Sequence, residues 1–141
     1  MRGILQRVTR ASVSVDGQVI GAFDGQGAVV LVGVTHDDTV ENAKTLARKI
    51  AELRIFEDET SIQDSGASVL IVSQFTLYGD VRKGRRPSWS KAAPGPVAEP
   101  LVDSVVDELR ARGIHVETGR FGAMMSVDLV NDGPYTLVIE V

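Results

Sequence analysis

Residues 4–34 read I-L-Q-R-V-T-R-A-S-V-S-V-D-G-Q-V-I-G-A-F-D-G-Q-G-A-V-V-L-V-G-V. Apolar and polar residues alternate toward the end of the first segment, where Val13 and Val15 fall on one face, and this period of two predicts a β-strand. The dipeptide Asp16-Gly17 follows, and it is typical of the tight turn in a β-hairpin. We therefore expect residues 18–23 to return antiparallel to the first strand.

A second turn is expected at Gly25-Gln26-Gly27, before the apolar run 28–34, which is typical of a strand buried on both faces. Farther along, apolar residues recur every three or four positions between Val40 and Leu53, and this spacing predicts an amphipathic helix. Asp38 is the expected N-cap of that helix, because Glu41 stands three residues later, at the spacing of a capping box.

The second half of the chain repeats these patterns. Residues 68–77 are strongly apolar and predict a strand, and a second helix is expected to begin at Pro100 and end at Gly113. The last strands are expected at residues 116–117, 126–130 and 135–141. Hairpins combined with two helices, without regular βαβ alternation, predict an α+β fold: a curved, mostly antiparallel sheet or open barrel with two packed helices.

Length and composition are those of an ordinary globular protein. The 141 residues suit a single domain spanning residues 1–141, and a net charge of −4 does not by itself indicate a nucleic-acid-binding protein. The sequence has no cysteine and only two histidines, which excludes thiolate and multi-histidine metal centres, so we expect no metal and no cofactor. It shows neither an apolar run of membrane-spanning length nor a signal peptide, so we expect a cytoplasmic protein.

Residues 82–91 form a basic loop in this acidic chain. The loop contains no acidic residue, and it carries Trp89. Its cations could neutralise phosphates while Trp89 stacks on a base; alternatively, the loop is merely solvated and Trp89 packs into the core. The cations of the basic loop are Arg82, Lys83, Arg85, Arg86 and Lys91.

Two hydroxyls and a carboxamide cluster where a buried strand is expected to end, in Ser73-Gln74-Phe75-Thr76-Leu77. Such groups can orient a polar substrate, and backbone N–H groups at this point could stabilise an oxyanion. The alternative is that they only satisfy the end of the strand. A Ser73 or Thr76 nucleophile would need an activating base, and the sequence places neither histidine nor lysine beside them.

A third segment is Asn131-Asp132-Gly133-Pro134-Tyr135-Thr136. It could be an ordinary turn between two strands. It could instead contain a cis Gly133–Pro134 bond, since X–Pro bonds are the ones that adopt the cis form, and would then present two backbone carbonyls in one direction.

Together these segments resemble the D-aminoacyl-tRNA deacylase family nearly end to end. The pair of motifs S-Q-x-x-L and N-x-G-P-x-T at this separation is specific to the resemblance, whereas Trp89 stands where the family pattern leads us to expect phenylalanine. The matching segments are residues 5–13, 54–56, 73–77, 86–91, 118–122 and 131–136.

The resemblance implies hydrolysis of the ester that joins a D-amino acid, and also mischarged glycine, to the terminal adenosine of tRNA. It implies a homodimer with active sites at the subunit interface. A cis Gly133–Pro134 unit would reach into the partner's site, where its carbonyl oxygens would exclude an L side chain.

Roles for the other residues follow from the resemblance. Ser73 and Gln74 would hold the ribose or carbonyl region of the substrate, and the backbone N–H groups of Phe75 and Thr76 would stabilise the oxyanion. The remaining implied roles are an adenosine pocket formed by Phe121 and Met125, support of the Gly-Pro unit by Asn131 and Thr136, and tRNA phosphate contacts from Arg82, Lys83, Arg85, Arg86 and Lys91.

Two alternatives stay open at this point. A binding module would bind tRNA through the basic loop without hydrolysing the ester. A metabolic esterase would use Thr76 as its nucleophile on small D-amino-acid esters, and it would be indifferent to the basic loop.

Overall fold

The computed structural model describes residues 1–141, in which five strands form one mixed sheet in the order β4-β3-β2-β1-β5. The α+β prediction is confirmed. The strands are β1 (Arg2–Val15), β2 (Gln18–Gly33), β3 (Ser68–Ser73), β4 (Val116–Thr118) and β5 (Ser126–Glu140). The helices are α1 (Val40–Glu52), α2 (Ile62–Ser65) and α3 (Gly95–Ala111). Short 3-10 helices lie at Glu57–Glu59 and Phe75–Tyr78.

The hairpin is confirmed, but the second predicted turn is wrong. Val15 pairs with Gln18 across Asp16-Gly17, and β2 then continues without interruption to Gly33. Gly25 and Gln26 together lie opposite Thr9 alone, so they form a bulge within the ladder rather than a turn. Gly25 has a φ of 97°, a backbone conformation that glycine adopts without strain.

Both long ladders are antiparallel, as predicted, and join β1 to β2 and to β5. The two short ladders, β2 with β3 and β3 with β4, are parallel, which the sequence pattern did not indicate. Parallel neighbours need crossover connections, and α1 and α3 lie in those crossovers. The continuous apolar runs of β2 and β3 fit strands covered on both faces.

The helices α1 and α3 pack on one face of the sheet and enclose the larger hydrophobic core. The cap of α1 is Thr39 with Asn42 rather than the predicted Asp38 with Glu41. Asp38 instead accepts hydrogen bonds from the Met1 ammonium at 2.5 Å and from the Thr35 amide at 2.7 Å.

The helix α3 begins one turn before its predicted start at Pro100. Pro96 occupies its first turn, where the missing N–H costs no hydrogen bond, and Pro100 lies inside the helix. None of the helices is long and apolar enough to cross a membrane.

The opposite face of the sheet carries a second, smaller apolar cluster, and no helix residue belongs to it. Half-buried apolar side chains border this cluster and leave part of the face accessible. The buried members are Val8, Ala11, Val13, Val29, Leu70 and Val72, and the bordering residues include Leu31, Met125, Val127 and Leu129.

Candidate active site

The strand β3 ends at Ser73 rather than at the predicted Leu77, and the chain turns at once into a 3-10 helix. The backbone N–H of Gln74 still donates to Val32 O at 2.8 Å, which anchors the turn to the sheet. The turn brings the Gln74 side chain back over Thr76, so that Gln74 Nε2 donates to Thr76 Oγ1. The backbone N–H groups of Phe75 and Thr76 open the 3-10 helix and therefore have no acceptor within it.

A cavity of about 710 Å³ opens beside this turn. It brings together six residues predicted for the site, namely Ser73, Gln74, Phe75, Thr76, Phe121 and Met125. The rest of its wall is predominantly apolar and comes from β2, from Val72 of β3, from residues 89–93, from the first half of α3 and from residues 121–127. No titratable side chain lines the cavity. Its polar groups are therefore the hydroxyls, the carboxamide and the backbone of one short turn.

Trp89 connects the basic loop to this cavity, in whose wall it lies. Its ring meets the Phe75 ring edge to face, with centroids 5.3 Å apart, and 43% of Trp89 stays exposed. Two backbone hydrogen bonds between Asp80 and Ser88 close the base of the loop. The alternative in which Trp89 packs into the core is therefore wrong, and its stacking on a base stays a prediction.

We expect Gly79→Ala to damage the cavity through Trp89. A Cβ at Gly79 would lie 2.6 Å from Trp89 Cζ3 and 3.0 Å from Thr76 O, so the indole must move away from Phe75. The expected result is a roughly tenfold higher KM with a small change in kcat, because substrate positioning is affected more than the reacting groups. Steady-state kinetics with the aminoacyl-tRNA substrate that the family resemblance implies measure it. Trp89→Phe in the Gly79→Ala background should restore KM; a KM that stays high would show that the damage comes from the Thr76 backbone instead.

The basic loop divides into paired and unpaired cations. The Arg82 guanidinium donates to the Asp80 carboxylate, with Nε 2.9 Å from Oδ1, and these hydrogen bonds hold the pKa of Asp80 well below its usual range. Lys91 Nζ is 3.8 Å from the same carboxylate. Lys83, Arg85 and Arg86 are exposed and make no ion pair, and they are the cations available for an external phosphate.

Residues 131–136 lie elsewhere, and neither Gly133 nor Pro134 lines the cavity. The two predicted strands here are one strand, β5, because Asn131 pairs with Val8 and Thr136 with Gln6. The residues between them, 132–135, form an enlarged bulge opposite Arg7, and the Gly133–Pro134 bond within it is cis. We call residues 132–135 the Gly-Pro bulge.

Both predicted supporting residues brace the ends of the Gly-Pro bulge. Asn131 Nδ2 donates to Arg7 O at 2.9 Å, and Gln6 Nε2 donates to Thr136 Oγ1 at 3.1 Å. Gly133 and Pro134 are exposed. The unit therefore projects from the sheet on a base that β1 holds in place.

Arg7 is the residue that the sequence analysis missed. Its Nε lies 3.1 Å from Asp132 O and 3.0 Å from the Asp132 carboxylate, and its Nη1 donates to Ile55 O at 2.6 Å. Its guanidinium also lies over the Tyr135 ring, 4.3 Å from the centroid. The signal in the sequence was weak, because Arg7 is one of two arginines in the middle of β1, and the other, Arg10, is exposed.

Fold and site define a class: an α+β protein with a largely apolar cavity that is edged by the polar strand end 73–76 and lined by no titratable side chain. The family described as D-Tyr-tRNA(Tyr) deacylase matches residues 4–140, and the chain belongs to that family.

Relatives are similar over their full length. The chain is 64% identical to the D-aminoacyl-tRNA deacylase of Thermobifida fusca and 63% identical to that of Streptomyces coelicolor, with 100% of each chain covered. Among solved structures, the c-Myc DNA Unwinding Element Binding Protein has a TM-score of 0.91 at 41% identity and covers 100% of this chain and 99% of its own. A probable eukaryotic D-amino acid tRNA deacylase, at 20% identity and a TM-score of 0.87 over 99% and 98% of the two chains, supports the fold alone.

Proposed function

We propose that the cavity binds the 3′-terminal aminoacyl-adenosine of tRNA and that the protein hydrolyses its ester, releasing free tRNA and a D-amino acid. Family membership makes the chain a D-aminoacyl-tRNA deacylase, an ester hydrolase acting on aminoacyl-tRNA. The observation that carries the assignment of the site is the polar turn 73–76 at the edge of a largely apolar cavity without titratable groups. An aminoacyl ester is already activated, so positioning and oxyanion stabilisation can suffice for its hydrolysis.

Each group of the turn then has a role. Ser73 and Gln74 hold the ribose and the ester carbonyl, and the N–H groups of Phe75 and Thr76 stabilise the oxyanion. Phe121 and Met125 enclose the adenine, which suits the apolar part of the wall. Because no protein base faces the cavity, the 2′-hydroxyl of the substrate assists the attacking water.

A second copy of the chain would complete the site. The tip of the Gly-Pro bulge, Gly133 and Pro134, is exposed and lies outside its own chain's cavity, which is where a bulge that acts on a partner's cavity would lie. The exposed part of the second sheet face includes a hollow of about 250 Å³, lined largely by apolar residues, to which Gln74 and Met125 also contribute. A homodimer that covers this face would place one chain's bulge beside the other chain's turn.

Chiral selection would come from the same bulge. The carbonyl oxygens of Gly133 and Pro134 would occupy the space that an L side chain needs, so that L-aminoacyl-tRNA is excluded whatever its side chain. Glycine has no side chain to exclude, so glycyl-tRNA is also a substrate under this proposal.

The test of the function is release of D-tyrosine from D-tyrosyl-tRNA by metal-stripped protein. Release supports the deacylase without a metal or cofactor. A nucleic-acid-binding module is the second candidate, favoured by the name of the 41%-identical solved relative and by the unpaired cations of the basic loop. Binding of tRNA with no release of tyrosine would favour that candidate.

Charge reversal in the basic loop should weaken tRNA binding. We expect the Arg85→Glu/Arg86→Glu variant to bind deacylated tRNA at least about tenfold more weakly, because both cations are unpaired. The slope of log K against log salt concentration should also fall, by an amount that corresponds to about two released counterions. Filter binding across a salt series measures both. Lys44→Glu/Lys49→Glu, at two exposed positions on α1, is the matched control because it changes the net charge by the same amount. Unchanged affinity, with D-tyrosine ethyl ester hydrolysed as fast as charged tRNA, would favour the esterase alternative.

A further inference from the structure

A second cavity of about 320 Å³ adjoins the active-site cavity. The two share Ser73, Val102 and Phe121 as wall residues, so the Phe121 ring and the end of β3 separate them. The second cavity opens between α3 and the end of β4, and neither the ester nor the terminal adenosine occupies it in the proposed function.

The lining of this cavity differs in chemistry from the active-site cavity. Asp103 and Asp107 stand four residues apart on α3, and therefore on one face of the helix. Arg110 lies one turn beyond Asp107, and its Nη2 donates to Val116 O at 3.0 Å, which fixes the guanidinium at the rim. Thr118 contributes to the wall opposite α3. The cavity thus offers carboxylate acceptors and a fixed donor within one small volume.

These groups discriminate between possible occupants. Two carboxylates against one guanidinium disfavour a phosphate, which would be repelled. They favour a neutral planar group that presents an amino donor beside carbonyl and ring-nitrogen acceptors. A cytosine base is such a group, because its N4 amino group donates to Asp or Glu, and its O2 and N3 accept from Arg or Thr.

We propose that this cavity is a subsite for the base of the penultimate nucleotide of tRNA, the cytidine that precedes the terminal adenosine. The inference rests on the proposed function, which places the adenosine in the adjoining cavity, and tRNA ends in C-C-A. Shared walls make the two cavities neighbours, as two successive nucleotides require. Asp103 and Asp107 receive the N4 amino group, and Arg110 and Thr118 face the acceptor edge. Specificity for the tRNA end then extends one nucleotide beyond the ester.

The experiment compares three synthetic D-phenylalanyl esters: of adenosine, of the dinucleotide CpA and of the dinucleotide UpA. Wild-type protein is expected to hydrolyse the CpA ester with a kcat/KM about tenfold higher than that of the UpA ester, since uracil lacks the amino donor. In the Asp103→Asn/Asp107→Asn variant the ratio should fall to about one, because an amide can bind either base. The adenosine ester should react equally with both proteins, and Glu99→Gln, elsewhere on α3, should leave the CpA:UpA ratio at its wild-type value.

Each outcome of this experiment either supports or overturns the cytidine subsite. Hydrolysis of the adenosine ester with equal rates for CpA and UpA in the wild-type protein overturns the subsite and leaves the deacylase intact. A preference for CpA that survives the double substitution places the recognition elsewhere and also overturns it. Failure to hydrolyse any of the three esters removes the proposed function together with the subsite. Should the double variant fold poorly, the single variant Asp103→Asn, at an exposed position of α3, replaces it, and a CpA:UpA ratio that it leaves unchanged overturns the subsite.

Discussion

L-Tyrosyl-tRNA is expected to be hydrolysed about 10³-fold more slowly than D-tyrosyl-tRNA, and Arg7→Ala is expected to remove about 100-fold of that difference. Arg7 is the one side chain that touches Asp132, Tyr135 and the distant Ile55 backbone. Without it, the Gly-Pro bulge loses its charged anchor, and its carbonyls no longer hold the position in which, under the proposed function, they exclude an L side chain. Single-turnover release of tyrosine from the two charged tRNAs measures the ratio.

Two controls separate this effect from a general loss of stability. Arg7→Lys keeps the charge but loses the planar fork, so it should give an intermediate ratio. Arg10→Ala removes an exposed arginine from the same strand, where its partner is Asp128, and it should leave the ratio unchanged. A D:L ratio that is unaltered in Arg7→Ala would show that selection does not depend on how the bulge is held.

A heterodimer tests whether the bulge acts on the partner subunit. We consider a Gln74→Ala chain paired with an Arg7→Ala chain and purified through two different tags. Only the Arg7→Ala chain then has an intact catalytic turn. If the bulge acts across the interface, this turn receives an intact bulge from the Gln74→Ala chain, and the heterodimer is D-selective. If it acts within its own chain, the heterodimer is as unselective as Arg7→Ala alone.

The features that could be predicted from the sequence are those that neighbouring residues determine. The Asp16-Gly17 turn follows from two residues, and the apolar period of α1 follows from one face of one helix. The strand-end motif 73–76 was recognisable because its polar groups follow an apolar run directly. The sequence predictions that were wrong concern features that depend on a contact with a residue distant in sequence.

This dependence on distant partners is seen at Gly25-Gln26, at Asp38 and at Arg7. Gly25 and Gln26 look like a turn locally, yet β1 runs opposite them, so the ladder continues through them. Asp38 stands where the sequence predicts the N-cap of α1, but its carboxylate accepts a hydrogen bond from the Met1 ammonium, and Thr39 caps the helix instead. Arg7 escaped notice for the same reason, since its acceptors lie 48 and 125 residues away.

The second large effect is expected at Gln74. Gln74→Ala should lower kcat on D-tyrosyl-tRNA by about 10²–10³-fold, the cost of removing one oxyanion or carbonyl donor from a preorganised site. Gln74 is the one polar residue that lines both the proposed active-site cavity and the apolar hollow, so no other polar side chain at that junction can take over its hydrogen bonds. Gln74→Glu is the matched control: it keeps the shape, lacks the N–H donors and should be equally impaired. A Gln74→Ala variant with normal kcat would remove the carboxamide from the mechanism.

Substitution of Thr76 distinguishes a positioning role of its hydroxyl from a role as covalent nucleophile. A threonine nucleophile needs a base, and no titratable side chain lines the cavity that Thr76 faces. Thr76 Oγ1 accepts a hydrogen bond from Gln74, which positions the carboxamide without activating the hydroxyl. Thr76→Val should therefore retain kcat within about tenfold, whereas a substrate with a 2′-deoxy terminal adenosine should react about 100-fold more slowly with the wild-type protein. Loss of all activity in Thr76→Val, with the 2′-deoxy substrate unaffected, would instead assign the nucleophile to Thr76.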